Sequence, residues 1–502
     1  MSNLFDLCLA DKAASDRLAL ETPDGTQLSY KALIAETGRM ANALVRAGVQ
    51  PGERVAVQVE KSVRNLVLYL ATLRAGAVYL PLNTAYTLSE VGYFVGDAEP
   101  GLIVCDPKSC EGMEEIASLS GARVETLDEA GEGSLAELAA VQSSEFQTVA
   151  RADDDLAAIV YTSGTTGRSK GAMLTHANLA SNARTLVDAW RFTQKDVLIH
   201  ALPIYHVHGL FVAINVLLIS GGSLLFLPRF DAGQILSVAP RATVLMGVPT
   251  FYTRLLKHPG LTGEAVKDMR LFVSGSAPLL AETHREWRAR TGQAILERYG
   301  MTETGMNVSN PYDGERIAGT VGLPLPGVEV RICDPESSAP LPQGRIGMIE
   351  VKGPNVFKGY WRMPEKTAAE FRADGFFITG DLGLIDELGY VSIVGRGKDL
   401  IITGGLNVYP IEVEEKIDAL PGVVESAVIG LPHPDFGEAV TAVVANGGGT
   451  IVSEAEVLEA LASELAAFKR PKRVVFVEEL PRNTMGKVQK AALRAAFAGL
   501  YD

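Results

Sequence analysis

The densest chemistry in the sequence is the run Tyr161-Thr162-Ser163-Gly164-Thr165-Thr166-Gly167-Arg168-Ser169-Lys170-Gly171. It follows the apolar stretch Leu156 to Tyr161, which reads as a buried strand. Glycines let backbone N–H groups approach an anion, and hydroxyls add donors. Lys170 supplies a point charge suited to phosphate. The plain alternative is a solvated Gly/Ser linker. The run is not a Walker A loop, because Lys170 follows Ser169 and precedes Gly171 instead of standing in Gly-Lys-Ser/Thr.

Four further segments carry groups of useful type. In Glu297-Arg298-Tyr299-Gly300-Met301-Thr302-Glu303-Thr304, Tyr299 can stack on a base, Thr302 can reach a phosphate oxygen and Glu303 can hold Mg²⁺. Alone, this segment reads as a polar turn. Thr379-Gly380-Asp381 follows the strand-like Phe376-Phe377-Ile378, and an Asp beyond a strand end can accept from ribose hydroxyls. Gly395-Arg396-Gly397-Lys398-Asp399 and Pro481-Arg482-Asn483-Thr484-Met485-Gly486-Lys487 complete the set. Taken singly, Lys487 reads as a surface lysine. His206 and His208 have a metal-like spacing, but no third ligand stands nearby.

The elements that must position these groups alternate between buried strands and helices. Tyr30 to Ala47 and Arg64 to Arg74 have helical periodicity. Val55–Val59, Ala77–Leu82, Gly101–Cys105, Ala242–Met246 and Leu271–Ser274 read as short buried strands. That pattern predicts an α/β fold with largely parallel sheets. Beyond about residue 320, short strands and Gly turns predict a β-rich subdomain. A small α+β unit follows Lys398, with a helix opened by Pro410 and stopped at Pro421-Gly422. Length alone suggests about three folding units. The expected division is a large N-terminal domain of layered α/β subdomains plus the β-rich subdomain (1–395), and a small mobile α+β C-terminal domain (396–502).

Composition narrows the function classes. A hydrophobic share of 47% suits a packed core. With 46 Lys and Arg against 60 Asp and Glu, the net charge of −14 disfavours a nucleic-acid or acidic-membrane partner. The apolar run Gly209 to Ile219 is too short for a span of roughly 20 residues, and reads as a buried strand or helix. The N-terminal residues lack a secretory pattern, and Cys8, Cys105, Cys110 and Cys333 form no disulfide framework. A cytoplasmic location is expected.

In this order, the five segments together resemble the acyl-adenylate-forming superfamily of acyl-CoA synthetases, peptide-synthetase adenylation domains and luciferases. The resemblance runs from Leu28-Ser29-Tyr30 through Lys487, with Ser169 where family members often have Pro. It implies ATP, Mg²⁺ and CoA, the last as a substrate. Thr162, Ser163, Gly164, Thr165, Thr166, Gly167 and Lys170 would clasp the ATP phosphates. Tyr299 would lie against adenine, with Gly275, Ser276, Ala277, Glu297, Gly300 and Met301 around the nucleotide. Thr302 would contact the α-phosphate, Glu303 would ligate Mg²⁺, and Asp381 and Arg396 would bind ribose. Lys487 would reach the carboxylate and α-phosphate as a catalytic residue, moved by rotation about a hinge at Lys398. A lysine-modifying enzyme acting at Lys487 is a further implied partner.

The acid is read from the pocket. Many relatives have Gly before the Tyr-Gly-x-Thr-Glu run, whereas Arg298 stands here. A guanidinium beside the acyl site would bind a second carboxylate bidentately. The plain alternative is an Arg298 that points to solvent or pairs with Glu297 or Glu303. Glu-Arg-Tyr-Gly-Met-Thr-Glu, Tyr-His-Val-His-Gly and Lys-Gly-Pro-Asn-Val-Phe-Lys-Gly-Tyr-Trp resemble malonyl-CoA and methylmalonyl-CoA synthetases. Malonate is therefore expected, with methylmalonate if Val207 and Met306 leave room for a methyl. His206 would line the acyl pocket. The alternatives are a ligase for another small, aromatic or fatty acid, and a carrier-protein loading enzyme.

Overall fold

In a computed structural model, the protein is described over residues 3–162, 169–403, 406–446, 452–483 and 486–501. The chain forms two compact units. One comprises Met1–Glu329 with Lys352–Phe377, the other Val330–Val351 with Ile378–Asp502. The expected boundary at 395 lies inside the second unit.

The first unit holds two large sheets. The seven-stranded sheet runs Gly359–Tyr360, Lys170–Thr175, Leu156–Thr162, Val78–Pro81, Arg54–Gln58, Leu102–Cys105, Arg123–Thr126. Its first two junctions are antiparallel and the rest parallel. The nine-stranded sheet has a parallel centre, with Val244–Gly247 between Leu271–Ser274 and Val197–His200, and antiparallel edges. Strands such as Val78–Pro81 and Leu271–Ser274 are buried at every position, as expected for strands covered on both faces.

Helix starts follow capping chemistry. Ser29 caps Tyr30–Arg46 and Ser62 caps Val63–Arg74 through side-chain oxygens that accept backbone N–H groups. Val63–Arg74 is buried along almost its whole length, which places it between layers.

Two segments differ from their sequence patterns, and a third takes one of its two expected forms. The run Gly209 to Ile219 is helical, with a π-turn over His208–Ile214 leading into the α-helix Asn215–Ser220. Its Asn215 is accommodated because Tyr69 donates to its Oδ1 at 3.0 Å. Glu297–Thr304 is mostly the strand Leu296–Met301, whose partner Gly305–Ser309 folds straight back, so the turn is only three residues. Asp381 lies within the strand Phe377–Ile385, not beyond its end. The polar run continues as strand because Asp381 faces Arg396 on Val391–Arg396.

The second unit has two sheets of its own. Glu329–Cys333, Gly347–Lys352, Phe377–Ile385 and Val391–Arg396 form a four-stranded sheet. A second sheet is built on the long hairpin Val423–His433 and Gly437–Asn446, with Arg473–Val477 added in parallel. The helix Pro410–Asp418 starts at its proline, and Val413 and Ile417 on it join the core beneath this sheet. The whole is a mixed α/β chain. Among the described residues, no helix is long and apolar enough to cross a membrane.

The π-turn is seated by close packing. A Cβ on Gly209 would stand 2.0 Å from the Pro203 carbonyl oxygen. Gly209→Ala is therefore expected to cost about 1–3 kcal/mol, read as a lower thermal midpoint. An unchanged midpoint would mean that the backbone gives way freely.

Candidate active site

The phosphate segment is a hairpin. Leu156–Thr162 pairs antiparallel with Lys170–Thr175, setting Thr162 opposite Lys170. Ser163, Gly164, Thr165, Thr166 and Gly167 lie outside the described residues. Tyr93 donates its hydroxyl to the Ser169 carbonyl at 2.8 Å and fixes the returning arm. Lys170 is largely buried, with Nζ 3.0 Å from Glu370 Oε1 and 4.1 Å from the Tyr360 ring centroid.

The turn after Met301 presents Thr302 and Glu303. Glu303 is buried, and its carbonyl accepts the Phe357 N–H at 2.7 Å. Asn355 Nδ2 donates to the Thr304 carbonyl at 2.7 Å, and Asn307 Nδ2 to Thr304 Oγ1 at 2.7 Å. Asn182 accepts the Met306 N–H at 3.0 Å and donates to the Met306 carbonyl at 2.8 Å. These asparagines and Tyr93 were not singled out from sequence. Asn355 alone had a signal, since it stands in the Lys-Gly-Pro-Asn-Val-Phe-Lys-Gly-Tyr-Trp segment. Thr302 and Val207 border one small cavity of about 10 Å³, room for one water.

Magnesium takes one or two carboxylates and fills its remaining positions with phosphate oxygens and water. Glu303, a buried carboxylate on a clamped turn, fits that role. Among the described residues, no group of three or more His, Cys, Asp or Glu could cage an ion.

Tyr299 is buried on the strand Leu296–Met301. A Cβ on the next residue, Gly300, would stand 2.5 Å from Met306 Cε, so Met306 packs against the Tyr299-Gly300 backbone. Across the sheet, Val273 and Ser274 pair with Leu296 and Glu297, which brings Gly275 and Ser276 beside the same wall.

Arg298 is 3% exposed. Its Cζ would lie 2.4 Å from a Cβ on Gly275, an approach that only glycine permits. Ser276 adopts φ +72°, unusual for a non-glycine residue, and its Oγ accepts from Arg298 Nη2 at 3.4 Å. The same hydroxyl lies 3.3 Å from His208 Nδ1. Burial holds His208 well below its ordinary pKa, so the ring is neutral, and Arg298 reinforces that. Burial also lowers the Arg298 pKa to about 9. Among the described residues no carboxylate pairs with Arg298, and its Nε has no hydrogen-bond partner. The solvent-facing and Glu-paired alternatives are thus both excluded there. A buried unpaired cation is costly, and an anionic ligand relieves it.

The second unit carries its own cluster. Arg396 Nε lies 2.7 Å from Asp381 Oδ1, with Asp381 buried and Arg396 about one-third exposed. Thr379 Oγ1 accepts the Asp381 N–H at 3.1 Å and donates to the Ile349 carbonyl at 2.8 Å. Lys398 is exposed on the single turn Gly397–Asp399, whose Asp399 pairs with Arg494 at 2.7 Å. Lys487 is exposed too, with its N–H donated to Asn483 Oδ1 at 3.0 Å.

The pattern for AMP-binding enzymes matches residues 9–361, and the pattern for the AMP-binding enzyme C-terminal domain matches residues 412–487. The chain belongs to the AMP-binding enzyme family. Malonate–CoA ligase of Arabidopsis thaliana is 35% identical, over 96% of this chain and 86% of that one. Feruloyl-CoA synthase of Amycolatopsis sp is 37% identical, over 94% of each. The crystal structure of ATP-bound MatB from Rhodopseudomonas palustris is 65% identical, with a TM-score of 0.99 and full coverage of both chains. These likenesses establish the acyl-adenylate-forming fold.

Glu297 adds a pH-dependent feature. Burial raises its pKa from 4.5 to about 8, while the Leu279 N–H donated to Oε1 at 3.3 Å opposes the rise. Between about pH 4.5 and 8, the folded chain holds a proton that the unfolded chain has lost. Stability therefore falls as pH rises through that window, by on the order of 3–5 kcal/mol. Glu297→Gln should remove this component. Urea midpoints of both proteins at pH 5, 6, 7 and 8 would test it; parallel pH profiles would contradict it.

Proposed function

We propose that the chain is an AMP-forming acid–thiol ligase that joins malonate to CoA with ATP, through malonyl-adenylate. The single observation that carries malonate is the buried Arg298 guanidinium, which no described carboxylate neutralises. A dicarboxylate supplies one carboxylate for activation and a second for this cation. The similar malonate–CoA ligases support the same acid.

In the first half-reaction, a malonate oxygen attacks the α-phosphorus of ATP. The bond to the bridging oxygen breaks and pyrophosphate leaves with its electron pair. In the second, the CoA sulfur attacks the acyl carbon, the bond to the phosphate oxygen breaks, and AMP leaves. The first step brings anion to anion, so catalysis is mainly charge stabilisation.

The chain's own groups suit these tasks. Lys170, with the loop from Thr162, binds the phosphates, and Thr302 meets the α-phosphate. Tyr299 lies against adenine, beside Gly275, Ser276, Ala277, Glu297, Gly300 and Met301. Asp381 accepts from ribose hydroxyls and Arg396 orients it. Lys487, on its exposed turn, serves adenylation and is carried by a mobile C-terminal domain (396–502) hinged near Lys398. Mg²⁺ bound with ATP would be held by Glu303 and would neutralise phosphate charge. Ser276, His206, Val207 and Met306 shape the acyl end, with neutral His208 beside Ser276.

Exposure of Lys487 also makes it accessible to a lysine-modifying enzyme. The cysteines are free, which suits a reducing cytoplasm. A second reading, an aromatic acid, is favoured by the similar feruloyl-CoA synthase. It would leave Arg298 facing a neutral ring end.

In an ATP- and CoA-dependent thioester assay, malonate should exceed acetate, benzoate, ferulate and octanoate. Arg298→Ala should lower kcat/KM for malonate by on the order of 2 kcal/mol or more; an unchanged value removes the dicarboxylate argument. Lys487→Ala should abolish ATP–pyrophosphate exchange yet spare thioester formation from supplied malonyl-adenylate. Equal loss of both would refute the assigned role.

A further inference from the structure

The short strand Gly359–Tyr360 lies on the free edge of Lys170–Thr175, with Tyr360 opposite Ala172 and the Trp361 N–H donated to the Gly171 carbonyl at 2.8 Å. The helix Pro364–Ala369 follows, and Glu370 sits at its C-cap. This edge folds two groups over the phosphate hairpin. Glu370 Oε1 lies 3.0 Å from Lys170 Nζ and 2.8 Å from Lys366 Nζ. Tyr360 presents its ring to Lys170 and its hydroxyl to two carboxylates, 2.7 Å from Glu370 Oε2 and 3.1 Å from Glu303 Oε1.

We infer that Glu370 and Tyr360 are positioning residues for the nucleotide, tying the phosphate lysine Lys170 and the metal carboxylate Glu303 into one unit. The inference rests on the roles proposed above for Lys170 and Glu303. A lysine side chain has four rotatable bonds, and holding its ammonium at one place costs entropy at the moment of binding. Glu370 and the Tyr360 ring hold Lys170 from two sides before any phosphate arrives.

The Tyr360 hydroxyl has one proton to donate and two carboxylates to receive it. Cations on both carboxylates relieve that conflict. Lys170 and Lys366 supply them at Glu370, and a divalent ion entering with ATP would do so at Glu303. The shared hydroxyl thereby holds Glu370 and Glu303 at a fixed spacing, so the lysine and the metal carboxylate are presented to the nucleotide together.

The test measures ATP binding by calorimetry, without malonate or CoA, in Mg²⁺ and in EDTA. Glu370→Gln should weaken ATP binding at least fivefold and raise the KM for ATP, with the KM for malonate unchanged. Thioester formation from supplied malonyl-adenylate should stay within twofold of the parent. Tyr360→Phe keeps the ring over Lys170 but removes the hydroxyl. In it, the factor by which Mg²⁺ tightens ATP binding should shrink at least fivefold.

Glu370→Gln with ATP affinity unchanged or tighter overturns the inference. So does a loss shared equally by both half-reactions with a lowered thermal midpoint, which would mark both residues as structural only. Lys170→Met is measured in parallel. If it leaves ATP affinity intact, the phosphate role of Lys170 itself has failed. If it weakens binding and Glu370→Gln does not, only the positioning role has failed.

Discussion

A guanidinium buried without a counter-charge is the constraint around which the acyl wall is organised. Arg298 takes its place because Gly275 has no side chain to obstruct it, and because Ser276 accepts a left-handed backbone that turns its hydroxyl toward the guanidinium. His208 completes the arrangement as a neutral ring, since a second positive charge there would deepen the electrostatic cost. The wall thus carries a positive charge with no counter-charge among the described residues. An anion bound there would relieve a cost already carried by the folded chain, in addition to making new contacts.

The same logic reconciles the acidic composition with anionic substrates. A net charge of −14 describes the surface field, whereas the proposed binding would depend on a few cations held where water is scarce. Lys170 and Arg298 are both largely removed from solvent, and Arg396 is about one-third exposed beside Asp381. Long-range repulsion acts on the rate of approach and is screened by salt, while the local cations set the stability of what is bound.

Much of the fold was legible from periodicity. Leu271–Ser274 is a strand with the bounds read from its apolar run, and the helices at Tyr30 and Val63 start at the hydroxyl residues that cap them. Chemistry-bearing segments were legible because their residue types are rare in combination. What stayed hidden was pairing between distant segments. The strand Lys170–Thr175 has no marked alternation, since its partners at Leu156–Thr162 and Gly359–Tyr360 are set by tertiary contact. Asp381 was misplaced because a Gly-Asp-Leu-Gly run looks like a turn until Arg396 is known to face it. Asn182 and Asn307 were unreadable for a related reason, and Asn355 was marked only by the segment it stands in. Each is an ordinary polar residue in its own segment, and becomes a clamp only when three separate stretches meet at Thr304 and Met306.

The π-turn at His208–Ile214 ties the placement of the His208 wall to chain length. A π-turn accommodates an extra residue relative to an α-helix, so everything after it is phased by that residue. Upstream, the His200 ring engages the Gly209 carbonyl at 2.8 Å; downstream, Asn215 receives the Tyr69 hydroxyl inside the core. Deleting one residue would rotate the following helix by about 100° and carry Asn215 away from its partner. Diversification of this wall is thereby confined to exchanges of one side chain for another, with insertions and deletions closed off by the core behind it.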